Sequence, residues 1–419
     1  MKQRFVQEVV SASVLLVVLS SFALVVAGET LATYNAGLLY GGVDYAYERS
    51  PIVNSEVAKL ASEWDLLCAQ EVYFQELNVK GLVDALADLL PHHYSPSPES
   101  PTSCWCHEAD LVPFRSCIDR ECGSQSGIFQ TSCILNNCED EMSGLEQECV
   151  TCLSSQMEEL LLSGATVEEA LQQCVDAGAS SESLSIDNCK ISDGNTGLHL
   201  FTKEAPLEVD YLLLDAYFVS RLVLYAKMDL SFGPTHIFCT HLTAAVNNIT
   251  YFGKYGTWED ENKAQASTLL EWIKEKTSFD EDKIVLIGDL NTGPGVSSIV
   301  PEIEDSYASI EEEGFINGYL FFEDQPKCSF CKENPLVSIT SGANNVLVDH
   351  IMLRNFGIEE EELTISNAGQ FLTERLTVQP FGGSAVEVPP SDHYGIEVTV
   401  EQSSSSCSAS ARPFTSNPY

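Results

Sequence analysis

Apolar and polar positions alternate in blocks along this chain, and five of the apolar blocks end on a polar residue. They are Leu31–Asn35, Leu66–Glu71, His236–His241, Ile284–Asn291 and the stretch closing on Asp392-His393. Ile284-Val285-Leu286-Ile287 is a continuous aliphatic run, the pattern of a strand covered on both faces. Asp289 and Asn291 follow it two residues apart, and a period of two predicts that they point the same way. A buried strand gains nothing from a carboxylate unless a polar partner meets it.

Around these runs the pattern alternates strand and helix from residue 29 to 94. Ser50-Pro51 predicts a helix start, with an N-cap followed by Pro at the first helical position. Phe74–Leu90 has helical spacing of leucines. Strand character returns over Gly197–Phe201, Tyr211–Leu214, Leu222–Leu230 and His236–Thr243. A helix is predicted from about Glu259 to Lys276, and strands near Val346–Leu353, Glu362–Ser366 and Gly395–Val400.

The segment 95–190 breaks this pattern. It holds ten of the 15 Cys and carries seventeen Asp and Glu against three Lys and Arg. Part of it reads as helix, and Thr166-Val167-Glu168-Glu169 has the form of a capping box. We expect an inserted, disulfide-stapled, acidic subdomain between 29–94 and 191–402, with a possible protein partner, and a Ser-rich disordered tail over 403–419.

Charge and targeting narrow the setting. The formal charge of −41 repels nucleic-acid phosphates, because duplex binding draws on Lys and Arg. A divalent cation would invert that field locally, so nucleases are disfavoured rather than excluded. Lys2 and Arg4 ahead of the apolar Val9–Val26, then Ala27-Gly28, read as a signal peptide over 1–28, with an uncleaved anchor as the rival. A secreted or extracellular protein agrees with cysteine-rich composition, since disulfides persist in oxidising compartments. Cys68 and Cys239, inside apolar strands, are expected to be free core thiols. Zinc is the weaker reading of Cys104-Trp105-Cys106, Cys149-Val150-Thr151-Cys152 and Cys328-Ser329-Phe330-Cys331. Asn248-Ile249-Thr250 is a glycosylation sequon.

The strand-end residues share a chemistry. Phosphodiester hydrolysis needs a cation, a group that orients or deprotonates water, a donor to the leaving oxygen, and donors to the non-bridging oxygens. Glu71 and Asp392 are hard oxygen ligands suited to Mg²⁺, with Mn²⁺ or Ca²⁺ as substitutes. Asp289 and Asn291 can position water and a phosphate oxygen. His241 and His393 are donors or acids near neutral pH. Asp349 can orient a His, while His350, its neighbour by alternation, faces away. Each residue alone has a plainer reading as a solvated loop carboxylate, a turn cap or a satisfied core His. Their recurrence at strand ends is what sets them apart.

The ordered set Thr33-Tyr34-Asn35, Gln70-Glu71-Val72, Thr240-His241-Leu242, Gly288-Asp289-Leu290-Asn291, Val348-Asp349-His350-Ile351 and Ser391-Asp392-His393-Tyr394 resembles the endonuclease/exonuclease/phosphatase superfamily, which includes deoxyribonuclease I and neutral sphingomyelinases. The resemblance covers the first strand, about 65–95 and 195–400. It implies an α/β fold, a four-layered sandwich of two packed mixed sheets. It also implies that Glu71 is the main metal ligand beside Asn35 and Asp392. Asp289 and Asn291 would then handle water and phosphate, and Asn35, Asn291 and His393 the phosphate oxygens. His241, Asp349, Asp392 and His393 take the remaining acid-base and phosphate positions.

Gly197-Leu198-His199-Leu200-Phe201-Thr202-Lys203, Thr240-His241-Leu242-Thr243-Ala244 and Asn334-Pro335-Leu336 are similar to the sphingomyelinase branch. Thr243, Lys263 and Val348 depart from its pattern. The implied function is a secreted Mg²⁺-dependent phosphodiesterase that cleaves sphingomyelin to ceramide and phosphocholine. A secreted DNase I-like endonuclease and a non-catalytic binding protein on the same fold are the alternatives. A choline phospholipid at a membrane surface would be the transient partner. Tyr251, Phe252, Tyr255 and Trp258, in a Gly-containing loop after His241, are candidates to touch it, although the loop could equally pack on its own core.

Overall fold

The computed structural model describes residues 28–39, 43–73, 78–96, 105–123, parts of 130–179, 196–216, 219–245, 251–337 except 252, 344–358, 362–380 and 383–403. Residues 1–27 of the expected signal peptide, Asn248, Phe252, Cys104, Cys189 and the tail beyond 403 lie outside the described residues.

The strands in chain order are β1 (Glu29–Asn35), β2 (Leu66–Gln70), β3 (His92–Tyr94), β4 (His199–Thr202), β5 (Glu208–Leu214), β6 (Arg221–Leu230) and β7 (Gly233–His241). They continue as β8 (Lys283–Asp289), β9 (Ile316–Asn317), β10 (Asp349–Arg354), β11 (Leu363–Phe371), β12 (Leu376–Val378), β13 (Val386–Val388) and β14 (Gly395–Gln402). One six-stranded sheet runs β11-β14-β1-β2-β4-β3, and the other β5-β6-β7-β8-β10-β9. Both are mixed, since β1–β2 and β7–β8 pair parallel within otherwise antiparallel ladders.

Three apolar clusters make the layers. Leu31, Leu66, Leu200, Leu224, Val285, Ile287, Ile351 and Val398 fill the space between the sheets. Ala32, Tyr34, Leu67 and Ala69, on the opposite face of the first sheet, meet Val53 and Val57 of α1 (Ala46–Leu60) and Leu82 and Leu86 of α2 (Lys80–Leu86). Phe238, Ile284 and Leu286 of the second sheet meet later helices in the same way. Every second residue of β8 thus serves a different cluster, which is why its run is aliphatic throughout. The result is a helix–sheet–sheet–helix sandwich, as expected.

Two helices differ from the pattern expected of the sequence. The first helix begins at Ala46, so Pro51 lies inside it rather than at its start. Pro51 is its sixth residue, so it gives up an intrahelical donor, and the helix is held there by the packing of Val53 and Val57 and by the hydrogen bonds of Arg49. The described part of the predicted Phe74–Leu90 helix is α2.

In the inserted segment, α3 (Leu111–Cys117) and α4 (Val167–Ala179) share a separate cluster of Leu111, Phe114, Ile118, Ile134, Leu153 and Leu171. Cys106–Cys149, Cys117–Cys138, Cys122–Cys133 and Cys152–Cys174 staple it. A cluster this small gains much of its stability from such cross-links. The zinc reading fails for these cysteines and for Cys328–Cys331, which is also a disulfide. Cys68 and Cys239 correct a further expectation: they are not free thiols but form a disulfide that ties β2 of one sheet to β7 of the other.

The second sheet's outer layer is α5 (Trp258–Lys276), with α6 (Glu304–Glu312) beside it. Thr257 caps α5 by accepting the Asp260 N–H, and acids in the first turn and lysines in the last suit the helix dipole. A short α7 (Gly318–Phe322) follows β9. No helix among the described residues is long and apolar enough to cross a membrane.

Candidate active site

Register alone assembles the first row of the site. His241 is the cross-strand partner of Asp289 on β7–β8, and Asp349 is the partner of Asp289 on β8–β10. Three polar side chains therefore stand abreast at one end of the second sheet. Gly288 makes the close approach possible: its φ is +141°, and a Cβ would lie 1.9 Å from the Thr240 carbonyl oxygen.

The first sheet supplies the facing half. Asn35 ends β1, and its Nδ2 donates to Asp289 Oδ2 at 2.9 Å. Glu71 follows β2 in a left-handed backbone conformation, φ 55°, costly for a non-Gly residue. Its neighbours hold it there: Leu38 N–H donates to the Glu71 carbonyl at 3.1 Å, and Val72 N–H to the Gly197 carbonyl at 3.0 Å. Asp392 and His393 precede β14. Ser391 Oγ donates to the Asn35 carbonyl at 2.8 Å, so the segment carrying Asp392 is pinned to the end of β1. Gly37, φ +54°, leaves room for Asp392, whose Oδ1 would be 2.3 Å from a Cβ there.

Asp289 Oδ2 is the meeting point of the two halves. Besides Asn35 it has His241 Nε2 at 3.4 Å and His393 Nδ1 at 3.9 Å. Burial, and then the neighbouring Asp349 carboxylate, push Asp289 up to about 7. His393 Nδ1 lies 2.8 Å from Asp349 Oδ2. Burial opposes a charge on His393, yet Asp349, Asp289 and Asp392 around it hold its pKa well above the ordinary imidazole value.

Arg221, at the start of β6, places Nη1 2.6 Å from His241 Nδ1. Guanidinium only donates, so His241 Nδ1 is the acceptor and its proton sits on Nε2, facing Asp289. Burial, Arg221 and His393 hold His241 well below its ordinary pKa. It is therefore a neutral donor, one of the two roles its residue type allowed.

Asn291 also departs from expectation. β8 ends at Asp289, and Asn291 has φ 48°, so period two does not reach it. Its N–H instead donates to Asp289 Oδ1 at 2.9 Å, and its Nδ2 to the Leu242 carbonyl at 2.9 Å. The residue fixes the Asp289 carboxylate and the end of β7 together. His350 faces away as expected, buried with Nε2 donating to the Thr292 carbonyl.

The donor set fits a cation. Burial and the like charge of Asp392 raise the Glu71 pKa, a repulsion that a bound cation would relieve. Asp349 Oδ1 is buried with no hydrogen-bond partner among the described residues. Ligand atoms of Asp289, Asp349 and His393 lie within 4.8 Å of one another and could hold a metal ion.

Two residues escaped the sequence reading. Arg221 reads as an ordinary strand-start Arg. Arg49, fully buried, donates to the carbonyls of Asp44, Ala36, Gly37 and Pro390, clamping the segments that follow Asn35 and precede Asp392. A buried Arg inside an amphipathic helix gives no sequence signal of that role.

The aromatic loop packs partly on itself. Trp258 is buried at the start of α5, edge-on to Tyr251 with ring centroids 4.9 Å apart. Tyr251 donates to Glu261 Oε2 and Tyr255 to Asp215 Oδ2.

Solved structures share this architecture. Sphingomyelinase C from Streptomyces griseocarneus aligns over 89% of this chain and 99% of its own, at 15% identity and TM-score 0.50. The chain shares the fold of this solved sphingomyelinase. SmcL aligns over 89% and 99% at 12% identity and TM-score 0.52. Staphylococcus aureus beta toxin 275–280 aligns over 88% and 99% at 12% identity and TM-score 0.51. No family model matches the chain, and no curated protein matches it by sequence.

Proposed function

We propose that the protein is a secreted Mg²⁺-dependent phosphodiesterase that hydrolyses sphingomyelin to ceramide and phosphocholine. The observation that carries the phosphodiester reading is the convergence on Asp289 Oδ2 of Asn35 from one sheet and His241 and His393 from the other chain segments. A buried carboxyl poised near 7 can accept the proton of an attacking water at physiological pH. The water oxygen bonds to phosphorus as the bond to the ceramide oxygen breaks, and the leaving oxygen takes a proton from His393. Asp349 holds His393 cationic and oriented for that transfer. His241 Nε2–H and Asn35 can donate to the non-bridging oxygens, and Arg221 adds positive charge beside His241.

Glu71, Asp392 and Asn35 are the residues that would hold the cation, and hard carboxylate and amide oxygens suit Mg²⁺. When bound, it would neutralise phosphate charge and stabilise the leaving oxygen.

The lipid reading is supported by the shape similarity to solved sphingomyelinases and by the −41 charge, which disfavours a polyanionic duplex. The half-buried Tyr251 and Tyr255, on a loop anchored by Trp258, are the proposed contacts to a choline phospholipid surface. Purified protein should release phosphocholine from sphingomyelin vesicles only with Mg²⁺. No release at any Mg²⁺ concentration would sink the lipid assignment, and plasmid nicking in its place would make the protein a nuclease.

A further inference from the structure

The loop Cys328-Ser329-Phe330-Cys331 lies outside the set of reacting groups, yet it touches both segments that carry the Asp349–His393 pair. Ser329 is fully buried, and its Oγ accepts the N–H of Val348 at 3.0 Å and of Asp349 at 3.2 Å. Its carbonyl accepts the N–H of Tyr394 at 2.8 Å. Phe330 forms a two-way backbone bridge with Val346, at 3.1 and 3.0 Å, and a bridge with His393. The Phe330 ring sits 5.0 Å from the His393 imidazole. Downstream, Asn334 donates to the Ser391 and Asp392 carbonyls, while its N–H returns to the Cys331 carbonyl.

A four-residue loop that must present a side chain to one strand and backbone to two has few conformations available, and an open loop would sample many others. The Cys328–Cys331 disulfide removes that freedom. Gln370 Nε2 anchors the loop further by donating to the Cys328 carbonyl at 2.8 Å.

We infer that the disulfide-closed Cys328–Cys331 loop is a positioning clasp: Ser329 and Phe330 set the distance and angle between Asp349 and His393, and the closed disulfide holds them in place. The functional half of this inference rests on the phosphodiesterase reading above, whereas the geometric half does not. Ser329 and Phe330 act on the reaction only through Asp349 and His393. Supporting groups of this kind typically affect activity by about 10–100-fold.

The test pairs kinetics with a spectroscopic signature. The short His393 Nδ1–H···Asp349 bond should give a low-field imidazole proton resonance, assigned by its absence in His393→Gln. The buried His350 Nε2–H, bonded to Thr292, serves as an internal reference for intact folding. In Ser329→Ala and in Cys328→Ala/Cys331→Ala the His393 proton should broaden or move upfield while the His350 proton stays. The kcat on sphingomyelin should fall about tenfold or more, with KM within about twofold. Phe330→Tyr should restore the signal that Phe330→Ala loses. If the double cysteine variant does not fold, Ser329→Ala, which keeps the disulfide, decides alone. A His393 proton unchanged in the folded variants overturns the clasp, as does its loss with kcat unaltered. A wild-type protein that shows the signal but hydrolyses none of the substrates refutes the phosphodiesterase reading and leaves the geometric clasp decided by the spectrum.

Discussion

The two halves of the site are built differently, although both sit at strand ends. The half from the second sheet, His241, Asp289 and Asp349, is deeply buried and ordered by strand register, so each side chain has a neighbour fixed by the ladder. In the half from the first sheet, Asn35 ends β1, while Glu71 and Asp392 sit on the segments just after or before strands. It is held by loop hydrogen bonds, a left-handed Glu71 and the Arg49 clamp. Register fixes direction at little conformational cost. Loop positions tolerate the movement that exchange of a cation and its waters demands. In the function proposed above, chemistry belongs to the rigid half and cation binding to the adjustable one.

The largest expected effect comes from the point where the halves meet. Asp289→Asn should lower kcat about 10³-fold or more, read by phosphocholine release. The same substitution should stabilise the metal-free protein. A buried carboxyl raised from 3.8 to about 7 loses folding stability as pH climbs through that window. The variant should therefore match wild type below about pH 4 and exceed it above pH 7, by on the order of 4 kcal/mol in denaturant unfolding. Equal stability at pH 8 would contradict the assigned environment.

Glu71→Gln should act through the cation instead. We expect a loss of about 10²-fold or more at limiting Mg²⁺, partly recovered at high Mg²⁺, and weaker Mg²⁺ binding by calorimetry. A drop in kcat at saturating Mg²⁺ with unchanged binding would remove the distinction between the halves. Arg221→Met frees His241 Nδ1, and activity should fall about tenfold, with the His241 pKa rising towards its ordinary value by NMR. The smallest effect on chemistry should follow Cys68→Ala/Cys239→Ala. That disulfide ties the two sheets behind the site, and its loss should cost about 3 kcal/mol of stability with kcat changed less than tenfold.

Much of the rigid half was legible from sequence, because an aliphatic run ending in Asp or His announces both the strand and its functional end. The polar residues of the adjustable half, Asn35, Glu71 and Asp392, were also legible at the ends of apolar runs, but nothing in Leu66–Glu71 signals a left-handed Glu71. Three features were hidden for physical reasons. A buried cystine and two buried thiols have the same apolar surroundings, so Cys68 and Cys239 read as free. Asn291 lies past the strand end, where alternation no longer holds. Arg221 and Arg49 owe their roles to long-range contacts between segments far apart in sequence. The helix starting at Ala46 escaped because Ser50-Pro51 is a strong local start signal that tertiary packing of Ala46 and Arg49 overrides.

The most direct test is a parallel turnover measurement on sphingomyelin, phosphatidylcholine and plasmid DNA, each with Mg²⁺ and with chelator. The account predicts phosphocholine release that is fastest from sphingomyelin, strictly dependent on Mg²⁺, and accompanied by little or no DNA cleavage. DNA cleavage exceeding lipid turnover, or lipid turnover unaffected by chelator, would contradict it.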